Sequence, residues 1–291
     1  MKTKEVKELL KITPTNVWDS TKAKWITQKK KWNELINTAG EIAGVKNPAY
    51  ATRENCLYPD SIPLSMNGGA SVLDPFVCEL LVKLFMPIKG KKIYNPFGGG
   101  VQMGFVAGFF DYEYLATEIR KNQCDVNNQI CGAFQLKSKW IQANSAEYIP
   151  EDEYDMIFLC PPYYKVEKYV DYDGNSPQGE LNSMGSYEEF KTALFAGIDK
   201  SIECLKDNCF ICIMIGDSRD KNGAYYGIEA ETELHLKNLG LHLYNRIVYI
   251  EKAGSSSLLA GRSIETRKLR KREQKIIVAF KGNLNNIKTL F

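Results

Sequence analysis

The sequence predicts an α/β fold: a mostly parallel seven-stranded sheet with helices on both faces and one late antiparallel strand. Three observations carry that expectation. From residue 71 onward, strand-like and helix-like segments alternate, the pattern of a parallel sheet joined by helical connections. A glycine cluster, Gly98, Gly99 and Gly100, stands where the first strand gives way to a helix. The last two strand-like runs, HLYNRIVYIE and QKIIVAF, have no helix between them, so one of them runs antiparallel.

The elements follow in chain order. Residues 73–86 (LDPFVCELLVKLFM) fit a helix closed by the turn at 87–90. KKIYN is a short strand, the glycines follow, and residues 101–109 make the next helix. YEYLATE is a second strand, 121–134 a helix, 139–143 a third strand and YDMIFL a fourth. After a polar loop at 164–185, residues 186–205 read as a helix with Ser186 as its cap and Glu189 three positions on. CFICIMIG is a strand and 227–239 a helix, and the final two strands complete the sheet. Residues 1–60 are more polar and form an N-terminal helical, basic arm to a main domain at 61–285. Within the arm, Trp18, Trp25 and Trp32 recur every seven residues, a helical stripe that serves as core or docking surface, with base stacking the lesser alternative.

Composition narrows the function classes. The chain has 291 residues, 44% of them hydrophobic and 25% charged, ordinary for a globular protein with a sizeable core. No apolar run reaches the roughly 20 residues of a membrane span, and the N-terminal segment lacks an apolar signal core, so the expected location is cytoplasmic with no membrane partner. The net charge of +3 is small, but basic residues gather at 22–31, 89–92 and 262–275, blocks able to neutralise phosphates. Cys209 and Cys212 lie three apart in a strand-like run. Their thiols therefore point to opposite faces and read as reduced core cysteines rather than metal ligands. With only two histidines in the chain, no metal site is expected.

Three segments carry chemistry. In YNPFGGGVQMG (94–104) the glycines let backbone approach a ligand closely, and the helix that follows offers free N–H groups. Glu118 closes the next strand, roughly 20 residues on, where a carboxylate can accept hydrogen bonds from ribose hydroxyls; pairing with Arg120 or Lys121 is the structural alternative. In YDMIFLCPPYYKVEKY, the run Cys160, Pro161, Pro162, Tyr163 ends the fourth strand. Two prolines cannot continue a central strand, so the chain turns out at the carboxyl edge, where open α/β sheets bind ligands. The Cys160 and Pro161 carbonyls can there accept from an amine, and Tyr163 can stack on a flipped base.

This set resembles the amino-methyltransferase branch of DNA methyltransferases, with their Asp-Pro-Phe-x-Gly-x-Gly and Asp/Asn/Ser-Pro-Pro-Tyr loops. It is most similar to phage and bacterial DNA methylases that carry Cys-Pro-Pro-Tyr. Further matches are Leu-Asp-Pro-Phe-x-Cys-Glu-Leu at 73–80, at the start of the first predicted helix, Gly-Asp-x-Arg-Asp at 216–220 and a late Gly-Arg…Arg-Lys-Leu segment at 261–269. The likeness extends over about residues 15–282. It implies a Rossmann-like class I methyltransferase fold, S-adenosyl-L-methionine as cofactor, DNA as partner and no metal. It also implies that Asn95, Pro96, Phe97, Gly98 and Gly100 surround the methionine end, that Glu118 holds the ribose, and that Asn144 and Ser145 approach the adenine. Cys160, Pro161, Pro162 and Tyr163 hold the target base. Asn95 and Asn144 stand where many relatives have aspartate, and Cys160 replaces Asp, Asn or Ser, which leaves more of the orienting to the Pro161 carbonyl.

The expected reaction is methyl transfer to the exocyclic amine of a flipped base, adenine ahead of cytosine, by direct displacement. The long loop at 164–185, beginning with Tyr164, is expected to close over the base or read DNA, and Arg262, Arg267, Lys268 and Arg270 to clamp phosphates. Methylation of RNA, and a catalytically idle nucleic-acid-binding or assembly protein on the same fold, are the alternatives. With no separate recognition domain in view, a homo-oligomer or a partner specificity subunit stays open.

Overall fold

The computed structural model describes residues 7–9, 11–45, 72–166, 169, 171, 173, 175–251, 265–269 and 271–291. Its strands are β1 (Val17–Asp19), β2 (Lys92–Asn95), β3 (Glu113–Glu118), β4 (Ser138–Gln142), β5 (Tyr154–Leu159), β6 (Leu205–Ile215), β7 (His242–Ile250) and β8 (Glu273–Lys281). Its principal helices are α1 (Ala23–Ala43), α2 (Pro75–Phe85), α3 (Gln102–Phe109), α4 (Lys121–Ala133), α5 (Tyr187–Glu203) and α6 (Ile228–Asn238), with a terminal turn α7 (Ile287–Leu290).

All strands join one sheet in the order β1-β7-β8-β6-β5-β2-β3-β4. β8 runs antiparallel to both β6 and β7; the other pairings are parallel. The protein therefore has an α/β, Rossmann-like fold with the late antiparallel strand that the missing helix before β8 requires. Seven strands match the sequence expectation; the eighth is β1, which pairs Val17 with Val248 at the sheet edge. Three residues are too few to show a two-residue period, so nothing in Val-Trp-Asp announces a strand.

Two apolar layers sandwich the sheet. One joins Phe76, Leu80, Phe105, Ile130, Phe158 and Phe210 under α1 to α4. The other joins Ile157, Leu159, Phe190, Leu194, Leu236 and Ile277 under α5 and α6. The central strands β5, β6 and β8 are buried on both faces and correspondingly rich in Ile, Val and Phe. Cys209 belongs to the second layer and Cys212 to the first, as their odd spacing along a strand demands.

The tryptophan stripe is core. Trp25 and Trp32 lie on α1, whereas Trp18 sits on β1 rather than on the helix, and all three are buried. Residues 17–43 of the expected arm thus add a strand to the sheet and a helix packed on α4 and α2. Asp74 ties these pieces together. It caps α2 by accepting from the Phe76 N–H at 2.9 Å, with Pro75 at the first helical position. It also accepts from Trp25 Nε1 at 3.0 Å and the Tyr249 hydroxyl at 2.8 Å. The predicted α5 cap is present: Ser186 Oγ accepts from the Glu189 N–H at 3.2 Å. The Glu189 carboxylate reaches back to the Gly185 N–H at 3.0 Å. Among the described residues no helix is long and apolar enough to cross a membrane.

Candidate functional site

The carboxyl ends of β2, β3, β4 and β5 surround a cleft of about 640 Å³, part of it open to solvent. This is the edge at which the paired prolines turn the chain out of the sheet.

The glycine turn forms one wall. Asn95 ends β2 and is buried. Its Oδ1 accepts from the Phe97 N–H at 3.0 Å and its Nδ2 donates to the Tyr114 hydroxyl at 3.0 Å. Asn95 therefore shapes the turn from beneath and does not line the cleft, unlike Pro96 and Phe97, which do. Gly98 is fixed by packing: a Cβ there would lie 2.9 Å from both Ala116 Cβ and Trp140 Cδ1. Its N–H donates to the Thr117 carbonyl at 2.7 Å. Gly99, with φ of 49°, is the glycine that faces the cleft, in place of Gly98 and Gly100. In a run of three glycines no sequence signal singles out the middle one.

Glu118, at the end of β3, lines the cleft as expected, but its carboxylate is already engaged. Oε2 accepts from the Gly99 N–H at 2.9 Å, which locks the glycine turn to the neighbouring strand. Oε1 accepts from the Arg120 N–H and Nε, each at 3.0 Å. Both side chains are over nine-tenths buried. Burial opposes the charge of Arg120, but the Glu118 carboxylate outweighs it and raises its pKa. The guanidinium also lies 4.9 Å from the centre of the Tyr169 ring, a cation–π contact.

The β4 end supplies Ala143, Asn144 and Ser145 to the wall. Asn144 Oδ1 accepts from the Ala146 N–H at 3.1 Å and Nδ2 donates to Glu147 at 2.9 Å, so this side chain also braces its own turn. Ile119 and Ala143 add the apolar surface that a flat ring needs.

The opposite wall holds Cys160 and Pro162. Pro161 is buried beside them. Tyr163 points away from this cleft: its hydroxyl donates to Gln274 Oε1 of β8. Its ring lies over Gly216, where a Cβ would come within 3.2 Å of Tyr163 Cζ. Tyr164 departs from its expected role. Its ring is 8% exposed and packed by Tyr187, Phe190 and Tyr226, so it is a core residue and offers no face to a base.

Of the expected phosphate clamp, Arg262 and Arg270 lie outside the described residues. Arg267 is exposed and Lys268 half-buried, the latter laid across Gly223. In the same segment Lys271 and Lys275 both pair with Glu229. Burial pushes the Glu229 carboxyl up, but Lys271 draws it down further, below the usual range.

The third wall comes from the loop at 164–185 that was expected to close over a base, through residues the sequence did not single out. Tyr169, Gly179, Glu180 and Leu181, from the long loop after the prolines, fold back over the cleft with Ala193 of α5 behind them. Asp171 anchors this loop. Its carboxylate accepts from the first two N–H groups of α4, Lys121 at 2.8 Å and Asn122 at 2.9 Å. Arg120, at the N-cap position, makes no side-chain cap of its own. A cap drawn from 50 residues away leaves no local motif to read.

No protein-family model matches the chain, and no curated protein matches it. Solved structures share its fold at low identity. A putative class I S-adenosylmethionine-dependent methyltransferase from Listeria monocytogenes is 13% identical, with 77% of this chain and 64% of that one aligned and a TM-score of 0.48. TrmN from Thermus thermophilus is 14% identical over 72% of this chain, with a TM-score of 0.46, and the alignment spans about half (49%) of its own length. An O-methyltransferase from a Brevibacillus brevis multienzyme, solved with S-adenosyl-L-homocysteine, is 15% identical over 72% of each chain at a TM-score of 0.44.

Proposed function

We propose that the protein is an S-adenosylmethionine-dependent methyltransferase acting on an exocyclic base amine in DNA. The observation that carries this reading is a single cleft bounded on one side by the glycine turn and Glu118, and on the other by Cys160 and Pro162. A donor and an acceptor bound at one sheet edge can then meet without crossing protein.

The residues present suit the cofactor. The cleft is open on one side and has mostly apolar walls with a few polar groups, the usual make-up of a small-molecule site. Ile119, Ala143 and Leu181 provide apolar walls, Asn144 and Ser145 polar edges, and Pro96 with Phe97 the surface before the glycine turn. When bound, S-adenosylmethionine supplies an electrophilic methyl group on a sulfonium.

This chain's own residues do the remainder. An aryl amine is a weak nucleophile because its lone pair is delocalised into the ring. Carbonyl acceptors at Cys160 and Pro161 draw its N–H groups out of the ring plane and localise that pair. Tyr163 is held outside the cleft by Gln274 and Gly216, so it acts on the base only through the proline turn that it anchors. Positioning of this kind accounts for the rate without a covalent intermediate.

The test is transfer of labelled methyl from the cofactor to DNA and, in parallel, to RNA. Cys160→Ser keeps most of the turnover on DNA, because the backbone carbonyl and not the thiol carries the contact. Tyr163→Ala loses about 100-fold or more in turnover, the order seen when a positioning group is removed. Total loss in Cys160→Ser would point to a thiolate nucleophile, and label confined to RNA would transfer the reading to that substrate.

A further inference from the structure

We propose that Glu180, on the loop that follows the paired prolines, is a cofactor-binding carboxylate that accepts a hydrogen bond from a sugar hydroxyl of the adenosine moiety. The proposal rests on the reading of the cleft as an S-adenosylmethionine site and adds a residue from outside the glycine turn and the β3 end.

Glu118 is the acid in the place where a ribose acceptor is expected. A carboxylate has about four lone-pair positions. Those of Glu118 receive the Arg120 N–H and Nε on Oε1, and the Gly99 N–H and Arg120 Nη2 on Oε2, the last at 3.4 Å. Its acceptor capacity is spent within the protein, holding the glycine turn and Arg120 in place.

Glu180 lines the same cleft and is 3% exposed. A surface loop ordinarily turns an acid out to water, since burying a charge is costly unless it is paired. Here the backbone turns it in. The Leu181–Ser183 segment forms a 3₁₀ turn, and Glu180 Oε1 accepts from the Asn182 N–H at 2.8 Å, which fixes the side chain toward the cleft. Just before it, Gly179 adopts φ of 84°, and a Cβ there would lie 3.0 Å from Asn144 Nδ2 and 3.5 Å from Ile119 Cδ1. The loop therefore descends onto the Ile119 and Asn144 wall and delivers Glu180 beside Glu118 and Arg120. Arg120 is the cation that acts on it, and Arg120 is already paired with Glu118. Burial accordingly pushes the Glu180 carboxyl up. A hydroxyl donor in the cleft supplies what the folded chain leaves short.

Isothermal titration with two probes tests this: S-adenosylhomocysteine, and 5′-methylthioadenosine, which keeps the sugar hydroxyls and lacks the amino acid. Glu180→Gln weakens both by the same factor, about tenfold to a hundredfold, the range for a hydrogen bond to a charged group. Glu180→Asp, which keeps the charge and withdraws it from the cleft, does likewise and replaces the glutamine variant if that fails to fold. Unchanged affinity for both probes overturns the proposal, as does a loss confined to S-adenosylhomocysteine, which would assign Glu180 to the amino-acid end. Should the unaltered protein bind neither probe, the reading of the cleft itself fails, a result distinct from a silent Glu180.

Discussion

At the scale of the residue, the cleft is organised by two buried acids with opposite duties. Glu118 is saturated by Arg120 and Gly99, whereas Glu180 is held by the loop N–H groups of Asn182 and Ser183 and shares an arginine. The difference has a consequence for stability. Burial raises the Glu180 carboxyl above its ordinary value of 4.5, while the Asn182 and Ser183 N–H groups and Arg120 pull it down and Glu118 pushes it further up. The folded chain thus binds this proton more tightly than the unfolded chain, so ionising Glu180 removes stability as pH rises through the ordinary value and past the raised one. Glu180→Gln therefore raises the melting temperature of the unliganded protein near neutral pH, and the gain disappears by about pH 4. Calorimetry across that interval checks it, and a gain that persists in acid would show that the charge is not its source. The place of Glu118, Cys160 and Pro162 at the cleft was legible because each stands at a strand end; the engagement of Glu118 by Gly99 was not. Position was not legible at Glu180 or Gly99, whose roles depend on how a loop folds, nor at Tyr164, whose aromatic neighbours come from α5 and the β6–α6 connection.

Among the elements, the strands and helices from residue 73 onward follow the sequence closely, since long apolar strands and capped helices announce themselves locally. Two features did not. β1 is three residues long and owes its place to β7. The start of α4 takes its cap from Asp171, and that contact links the loop after the prolines to the β3 side of the cleft, because Arg120 and Lys121 sit on the same turn. Asp171→Ala strips two hydrogen bonds from the helix start and should cost about 0.5–2 kcal/mol of stability. It should also weaken S-adenosylhomocysteine binding, since the loop carrying Glu180 loses its far anchor. Urea unfolding and titration calorimetry read the two effects separately. A stability loss with unchanged affinity would mean that the anchor serves the helix alone.

Across the whole molecule, topology decides where chemistry can occur. The order β4-β3-β2-β5-β6 places the glycine turn and the Pro-Pro-Tyr turn on adjacent parallel strands, β2 and β5. Their carboxyl ends must therefore face each other across the sheet edge. The alternating pattern and the unconnected last pair of strands were enough to read that architecture from the sequence. The basic segment was harder to read, because charge runs do not reveal their partners: Lys271 and Lys275 share Glu229, leaving Arg267, Lys268 and Arg272 as its other described basic residues. The most direct measurement is a crystal structure with S-adenosylhomocysteine. The account places its adenosine against Ile119, Asn144 and Glu180, with the sulfur turned toward Cys160 and Pro162. Adenosine bound elsewhere, or a sulfur walled off from the two prolines, would contradict it.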